Sequence, residues 1–431
     1  GRGYTNAYDD TPWYVQPFGQ NRKAVAIAAG GNTTCALLDD GAVSCWGAGD
    51  YGQLGNNNTA SANTPQEVSS FPGDQDAVSV AVGWRHGCVL LSDQNMSCWG
   101  NNIVGQLGNN NTTNSTTPVL VQPLNGTAKP VALTLNNVHT CALLDDGNAA
   151  CWGYGYRGAL GTGLPESSAP VAVDVVSSPI RDIDAGGWHT CSVLNNGSVV
   201  CWGDNAYLQV GSSSVSPANV SGTFIQGYGA SHPASVVRTG PYHSCAIDSS
   251  GDIQCWGDGR YGQLGNGSNS ASLLPVNVSL PTGAKAVDVA LGIYHTCALL
   301  TNGSVMCWGD GTYGQLGAGG ATTSSNTPVY TSALGSSART GVAIDAGVGH
   351  TCVHLDDSSV VCWGYNGWGG VGSGSFTDMF VPTFVTSLGS GSSTTATSIS
   401  TGYGHTCAIT NNGLLCCCLL YTSDAADDLG R

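Results

Sequence analysis

Short runs in which apolar and small residues alternate recur along the chain, each ending in glycine: AVAIAAGG (24–31), AVSVAVG (77–83), AVDVALG (286–292) and GVAIDAG (341–347). Alternation with period two predicts strands, and the small side chains predict close packing where several such strands converge. A second pattern follows each run, clearest as HTCALLDDGNAACWG (139–153) and HTCALLTNGSVMCWG (295–309). Two apolar segments around a polar, glycine-bearing centre predict a hairpin.

Setting Cys35 opposite Cys45 places Ala36 opposite Ser44, Leu37 opposite Val43 and Leu38 opposite Ala42. Asp39-Asp40-Gly41 is then a three-residue loop, the length that joins a type I turn to a glycine in the left-handed region. Glycine holds that place in six of the eight units, with Asn95 and Ser358 in the other two. A fourth segment follows GQLG (52–55, 105–108, 262–265, 314–317) and carries Pro-x-x-Val, its prolines at Pro12, Pro65, Pro118, Pro170, Pro217, Pro275, Pro328 and Pro382. Proline has no donor for a sheet ladder, so this segment is expected to be an outer strand that starts at the proline.

The whole pattern repeats. The first cysteine of each unit falls at steps of 53, 53, 50, 54, 52, 55 and 55 residues, and a period near fifty means supersecondary units stacked around one shared core. Four antiparallel strands per unit, small residues at one end and an edge proline at the other, predict the blades of a β-propeller, with a stacked solenoid as the alternative.

Sixteen of the 18 cysteines form eight pairs: Cys35 with Cys45, Cys88 with Cys98, Cys141 with Cys151, Cys191 with Cys201, Cys245 with Cys255, Cys297 with Cys307, Cys352 with Cys362, and Cys407 with Cys417. Each pair lies directly across the hairpin, where neighbouring Cβ atoms come close enough to bridge. Disulfides formed in an oxidising compartment are the favoured reading, with reduced structural cysteines and a metal site as alternatives; zinc sites prefer shorter spacings and four clustered ligands. Closing an eleven-residue loop contributes at most roughly 2.8 kcal/mol.

Charge narrows the partners. Twelve basic residues against 28 acidic ones give −16, which disfavours phosphate backbones and anionic lipid. No apolar run is long enough to span a bilayer. Twelve Asn-x-Ser/Thr sequons, at Asn32, Asn57, Asn95, Asn110, Asn111, Asn114, Asn125, Asn196, Asn219, Asn266, Asn277 and Asn302, are compatible with a glycoprotein, although a chain rich in Asn, Ser and Thr generates them by chance.

Taken together, GxxHTCAL, DDG or NNG, CWG and YGQLG resemble the repeat of the regulator of chromosome condensation family over roughly residues 11–417. The resemblance implies a seven-bladed propeller; the strand count permits eight. Its founding member is a guanine nucleotide exchange factor, so exchange activity or cytoskeletal regulation is the alternative function. No catalytic residue carries over, and no nucleophile, phosphate loop or calcium loop stands out of the repetition.

Histidines recur before the cysteine at His86, His139, His189, His243, His295, His350 and His405, with Thr33 in the first unit. They are expected to serve their own blade, as Trp46, Trp99, Trp152, Trp202, Trp256, Trp308 and Trp363 are expected to seal blade against blade. Less repetitive aromatics are better ligand candidates. Trp84, Trp188, Tyr242 and Tyr294 stand one or two residues before a repeated histidine and are expected to share one rim; Trp13 and Trp368 are further candidates.

Both ends are expected to be incomplete. DDTPWYV (9–15) matches an outer strand, and the final unit breaks where Cys-Trp-Gly should follow, leaving Cys416 and Cys418 without an assigned role. CLLYTSDAAD (418–427) reads as translated library adapter, so 418–431 are expected to be non-native. The functional expectation is a monomeric, non-enzymatic propeller (1–417), secreted or at the cell surface, that binds a protein or glycan on a loop face with no nucleic acid, membrane insertion, metal or cofactor.

Overall fold

The computed structural model describes residues 12–15, 18, 22–124, 127–173, 178–212, 219–320, 323–334, 339–389 and 391–417. Their strands form eight four-stranded antiparallel sheets, each a blade. Blade 1 runs Ala24–Gly30, Thr33–Leu38, Val43–Gly47 and Ala62–Glu67 from the axis outward. The innermost strands of blades 2 to 8 are Ala77–Val82, Pro130–Leu135, Ile180–Ala185, Ala234–Thr239, Ala286–Leu291, Gly341–Ala346 and Ala396–Thr401.

Seven blades, the number implied by resemblance, give way to the eight that the strand count permitted. The reason is a contact between chain ends. Trp13–Tyr14 pairs antiparallel with Gly413–Cys417, Trp13 opposite Cys416 and Tyr14 opposite Leu415, and so completes blade 8. Ala36, Leu38 and Trp46 of blade 1 pack with Cys407, Ile409 and Leu414 of blade 8 and with Val15 and Phe18, which closes the ring.

The predicted hairpin register holds in blade 1, with Cys35 opposite Cys45 and Leu37 opposite Val43, and Leu38 N bonds to Ala42 O at 2.8 Å. Gly41 takes φ +80° at the turn. In blade 2 the left-handed residue is Gln94 at φ +68°, correcting Asn95: the sixth position after the first cysteine, which Gly41 holds in blade 1, falls on Gln94. Ser358 takes the same conformation at φ +64°.

The prolines also sit differently from the expectation. Pro65 is the fourth residue of its strand, not the first. Between the pairs Cys45 with Gln66 and Gly47 with Ala62, three outer-strand residues face Trp46 alone, so the proline lies in a bulge where the ladder asks for no donor. Pro118, Pro170, Pro275, Pro328 and Pro382 are likewise interior to their strands. Pro217 lies outside the described residues.

Each blade contains one disulfide. Seven join the predicted pairs. In blade 8 Cys407 bonds Cys416 instead of Cys417. There the turn is shorter: Thr410 pairs with Gly413 around Asn411-Asn412 alone, which shifts the opposing strand by one residue and aligns Cys416 with Cys407. Cys416 thus has a structural role, while Cys418 and the rest of 418–431 lie outside the described residues.

The core lies between blades. One cluster joins Ile247 and Ile253 of blade 5 to Val289, Leu300 and Trp308 of blade 6. All seven repeated tryptophans have no exposed surface, which overturns any ligand-platform role for them. By area, burying each indole contributes at most about 4–6 kcal/mol. Among the described residues no disulfide crosses a seam, so neighbouring blades cohere through packed side chains and hydrogen bonds, including backbone bonds such as Asn57 N to Thr116 O at 2.8 Å.

Candidate functional site

The turn after each innermost strand is a machined unit. In GxxH the glycine leaves room for the imidazole: an ideal Cβ at Gly292 would lie 2.1 Å from the ring of His295, and one at Gly402 would lie 2.2 Å from His405. The ring then reaches the next blade. His86 Nε2 lies 2.9 Å from Thr140 Oγ1, and the same link joins His139 to Thr190, His189 to Ser244, His243 to Thr296, His295 to Thr351, His350 to Thr406 and His405 to Thr34 at 2.8–3.1 Å.

Hydrogen-bond accounting fixes the tautomer. Thr140 spends its one proton on Gln106 O at 3.1 Å, so its oxygen accepts from His86, whose proton must sit on Nε2. Gln106 O also accepts from Trp152 Nε1 at 3.0 Å. Thr296 and Trp308 share Gln263 O in the same way, and Ser244 and Trp256 share Gln209 O. Trp46 Nε1 has no partner among the described residues. Burial pushes His86, His189, His295 and His405 down to about 3, and His139, His243 and His350 to about 4, so all seven are neutral at pH 7. They are seam fasteners. Among the described residues no group of acids, histidines and cysteines is arranged to hold a metal ion.

With the seat residue (glycine, or Asn136 in blade 3) and the histidine committed, the two residues between them are left to build the rim. The first of the pair contributes Trp84, Asn137, Gly187, Pro241, Ile293, Val348 and Tyr403 to the rim of the channel, with Gly31 in blade 1. Backbone bonds link these turns in sequence: Ile293 N to Val348 O, Val348 N to Tyr403 O and Tyr403 N to Gly31 O. They enclose a well of about 440 Å³ with contributions from all eight blades.

Three of the four predicted ligand-face aromatics, Trp84, Trp188 and Tyr242, line this well. Tyr294 stands just outside it, stacked on Tyr242 at 6.1 Å. The loops after Cys-Trp-Gly supply aromatics that sequence reasoning missed. Tyr207 packs on Tyr242 at 4.8 Å, Tyr261 on Tyr294 at 4.4 Å and Tyr154 on Trp188 at 5.7 Å. A further run goes from Tyr313 through Tyr365, Trp368 and Tyr403 to Trp84. Gly31 permits its last step, because a Cβ there would lie 2.5 Å from Trp84 O. The tyrosine of YGQLG was the available signal for several of these rings. Trp368 thus joins the rim, while the side chain of Trp13 lies outside the description.

Arginines are threaded among the rings. Arg85 lies 4.4 Å over Tyr51, Arg260 5.0 Å over Tyr207 and Arg157 6.0 Å over Trp188. Arg157 also pairs with the buried Asp204 at 2.9 Å. The well itself is lined by no acidic, basic or histidine side chain, and burial pushes the Tyr242 phenol up, away from ionisation.

Carboxylates lie one hydrogen bond behind the lining. Thr239, part of the wall, donates through its amide at 2.6 Å and its hydroxyl at 2.7 Å to Asp184. The amide of Thr401, also in the wall, donates to Asp345 at 2.8 Å. Deeper in the channel Arg238 is shared by Asp182 at 3.3 Å and Asp288 at 3.4 Å. Burial pushes the Asp184 and Asp345 carboxyls above their usual range.

At the other mouth every innermost strand bulges after its first residue, as between Ala24 and Ala26 or Ala77 and Ser79. The bulged residues include Val25 and Val78, both 57% exposed. Valine holds the bulge in five blades, with Arg181, Ser235 and Thr397 in the other three, so these positions at that mouth carry no aromatic ring.

Residues 3–339 and 132–408 each match the family model of the RCC1-like domain. The chain is 31% identical over 350 residues to the ultraviolet-B receptor UVR8 of Arabidopsis thaliana, covering 79% of this chain and 75% of that protein. It is 29% identical over 287 residues to the E3 ubiquitin-protein ligase HERC2 of Homo sapiens, 65% of this chain but 6% of that much longer protein. Among solved structures it is similar to human WBSCR16, with TM-score 0.68, 19% identity and coverage of 88% of this chain and 98% of that one. Prp20p of Saccharomyces cerevisiae, described with its binding properties to Gsp1p and histones, gives TM-score 0.67 and 18% identity over 94% and 95%.

Proposed function

This chain belongs to the family of RCC1-like domains, and from that premise we propose that it is a non-catalytic protein-binding propeller of an oxidising compartment, secreted or displayed at the cell surface as a monomer. The partner docks on the face formed by the GxxH turns and the loops after Cys-Trp-Gly. The concentration of tyrosine, tryptophan and arginine around one central well carries this reading. Those three residue types are the ones enriched at the energetic centres of protein interfaces: tyrosine and tryptophan bury large area with little loss of side-chain freedom, and arginine adds stacking and several donors. One disulfide in every blade supports the compartment, since such bonds persist where thiols are not continually reduced. Among the described residues no helix is long and apolar enough to cross a membrane.

Affinity capture from extracellular material with four forms of the protein tests the docking face. Wild type and the opposite-mouth variant Val25→Ser/Val78→Ser should retain the same partner, and Tyr294→Ala and Trp368→Ala should each lose it. Capture unaffected by both rim substitutions would sink the reading.

A further inference from the structure

We propose that the central well receives a lysine or arginine side chain of the partner, held between aromatic faces above the channel carboxylates. The proposal rests on the docking face assigned above and specifies what enters its centre.

Three observations converge on a cation. The wall presents Trp84, Trp188, Tyr242 and Tyr403 around a space of about 440 Å³, enough for a long side chain, and aromatic faces attract ammonium and guanidinium groups, more strongly when water is excluded. The lining offers no basic group that would repel one. Behind the floor stand four carboxylates, Asp182, Asp184, Asp288 and Asp345, against the single guanidinium of Arg238, which serves Asp182 and Asp288. Asp345 is held by the amides of Ala346 and Thr401, neutral donors standing where a counter-charge would be, while Asp184 accepts from Thr239 and shares the field of Arg238 with Asp182 and Asp288.

The same face shows that its rings accept guanidinium groups. Arg85, Arg157 and Arg260 already lie over Tyr51, Trp188 and Tyr207 at its periphery. A long-range field adds to the local chemistry: a chain of net charge −16 steers basic surfaces toward itself. A neutral glycan would gain the stacking but not the field, and an acidic side chain would meet four carboxylates.

The test uses the full chain and the N-acetyl methylamides of arginine, lysine, norleucine and glutamate, together with methyl glucoside, followed by tryptophan fluorescence and ligand-observed NMR. The arginine and lysine probes should bind at least about ten-fold more tightly than norleucine, with glutamate and the glucoside weaker still. Trp84→Ala should weaken the arginine probe about ten-fold, and Asp345→Asn severalfold with the melting temperature retained, while Val25→Ser leaves it unchanged. Equal or tighter binding of norleucine, glutamate or the glucoside, or no binding by either cation, overturns the proposal. Rim-dependent partner capture without cation binding would refute this inference alone; capture independent of the rim would refute the docking face.

Discussion

Thr33 and Gly87 occupy the two positions at which each of the other seven seams joins a histidine to a hydroxyl, so both halves of that link are missing together between blades 1 and 2. Thr33 turns its hydroxyl to Ala48 O within its own blade. A cation–π contact and a hydrogen bond of 3.0 Å from Arg85 to Tyr51 bridge this seam at the surface instead.

Gly30, in the position of the seat glycines, is still present before Thr33. Thr33→His alone would bury an unpaired imidazole, and Gly87→Thr alone would crowd the indole of Trp99, which lies 2.9 Å from an ideal Cβ at that position. Each single variant should therefore lose about 1–3 kcal/mol in denaturant unfolding. The double variant should recover at least about 1 kcal/mol relative to the sum, because the new pair satisfies itself. Additive losses would mean that the link contributes no net stability.

The seven buried imidazoles make the ring sensitive to acid. Their pKa values lie at about 3 to 4 when folded, below the ordinary 6.5, so between those limits the unfolded chain binds more protons and stability falls as pH drops. Above about pH 6.5 the contribution is fully present. Melting temperature should decline steadily from pH 7 to pH 4 while the disulfides stay intact, since acid protonates any thiolate that could exchange with them. His295→Gln should flatten the slope while lowering stability at pH 7. A melting temperature independent of pH over that range would contradict the neutral assignment.

Disulfide pairing is open to direct measurement. Peptide mapping without reduction should recover Cys407 linked to Cys416 and Cys141 linked to Cys151; a Cys407 to Cys417 peptide would show that the last hairpin keeps the longer turn. Replacing Cys141 and Cys151 together with alanine should cost no more than about 2.8 kcal/mol, because the hairpin turn already restricts the loop that the bond closes.

What the sequence revealed and what it concealed divide along one physical line. Contacts inside a unit were legible, because Cys35 and Cys45 or Leu38 and Ala42 lie within a few residues and the apolar pattern sets their register. Contacts between units were not. The blade count depends on Trp13–Tyr14 meeting Gly413–Cys417 across almost the whole chain. The partner of each histidine is the hydroxyl residue that follows the histidine position of the next blade, so GxxHTC held both halves of the link without showing that they belong to different units. Trp84, Trp188 and Tyr242 were found through their place beside the histidine, and Trp368 as a non-repetitive aromatic, but Tyr207 and Tyr261 reach the same rim from the loop after Cys-Trp-Gly and were not singled out. The shift to Cys416 turned on a single residue of loop length.

The pair between Arg157 and Asp204 separates charge from geometry on the docking face. Asp204 is almost fully buried and receives the amide of Ala206 at 3.2 Å as well as the guanidinium, which lies at the same time over Trp188. Removing the cation leaves a carboxylate in a site that solvent cannot easily reach, so Arg157→Ala should cost about 1–3 kcal/mol. Lysine would restore the charge but not the flat contact of the guanidinium with the indole of Trp188. Arg157→Lys should therefore recover less than half of the loss in thermal unfolding. It should also leave the Trp188 fluorescence shifted toward that of the alanine variant. Full recovery by lysine would show that a point charge beside Asp204 is all this position requires.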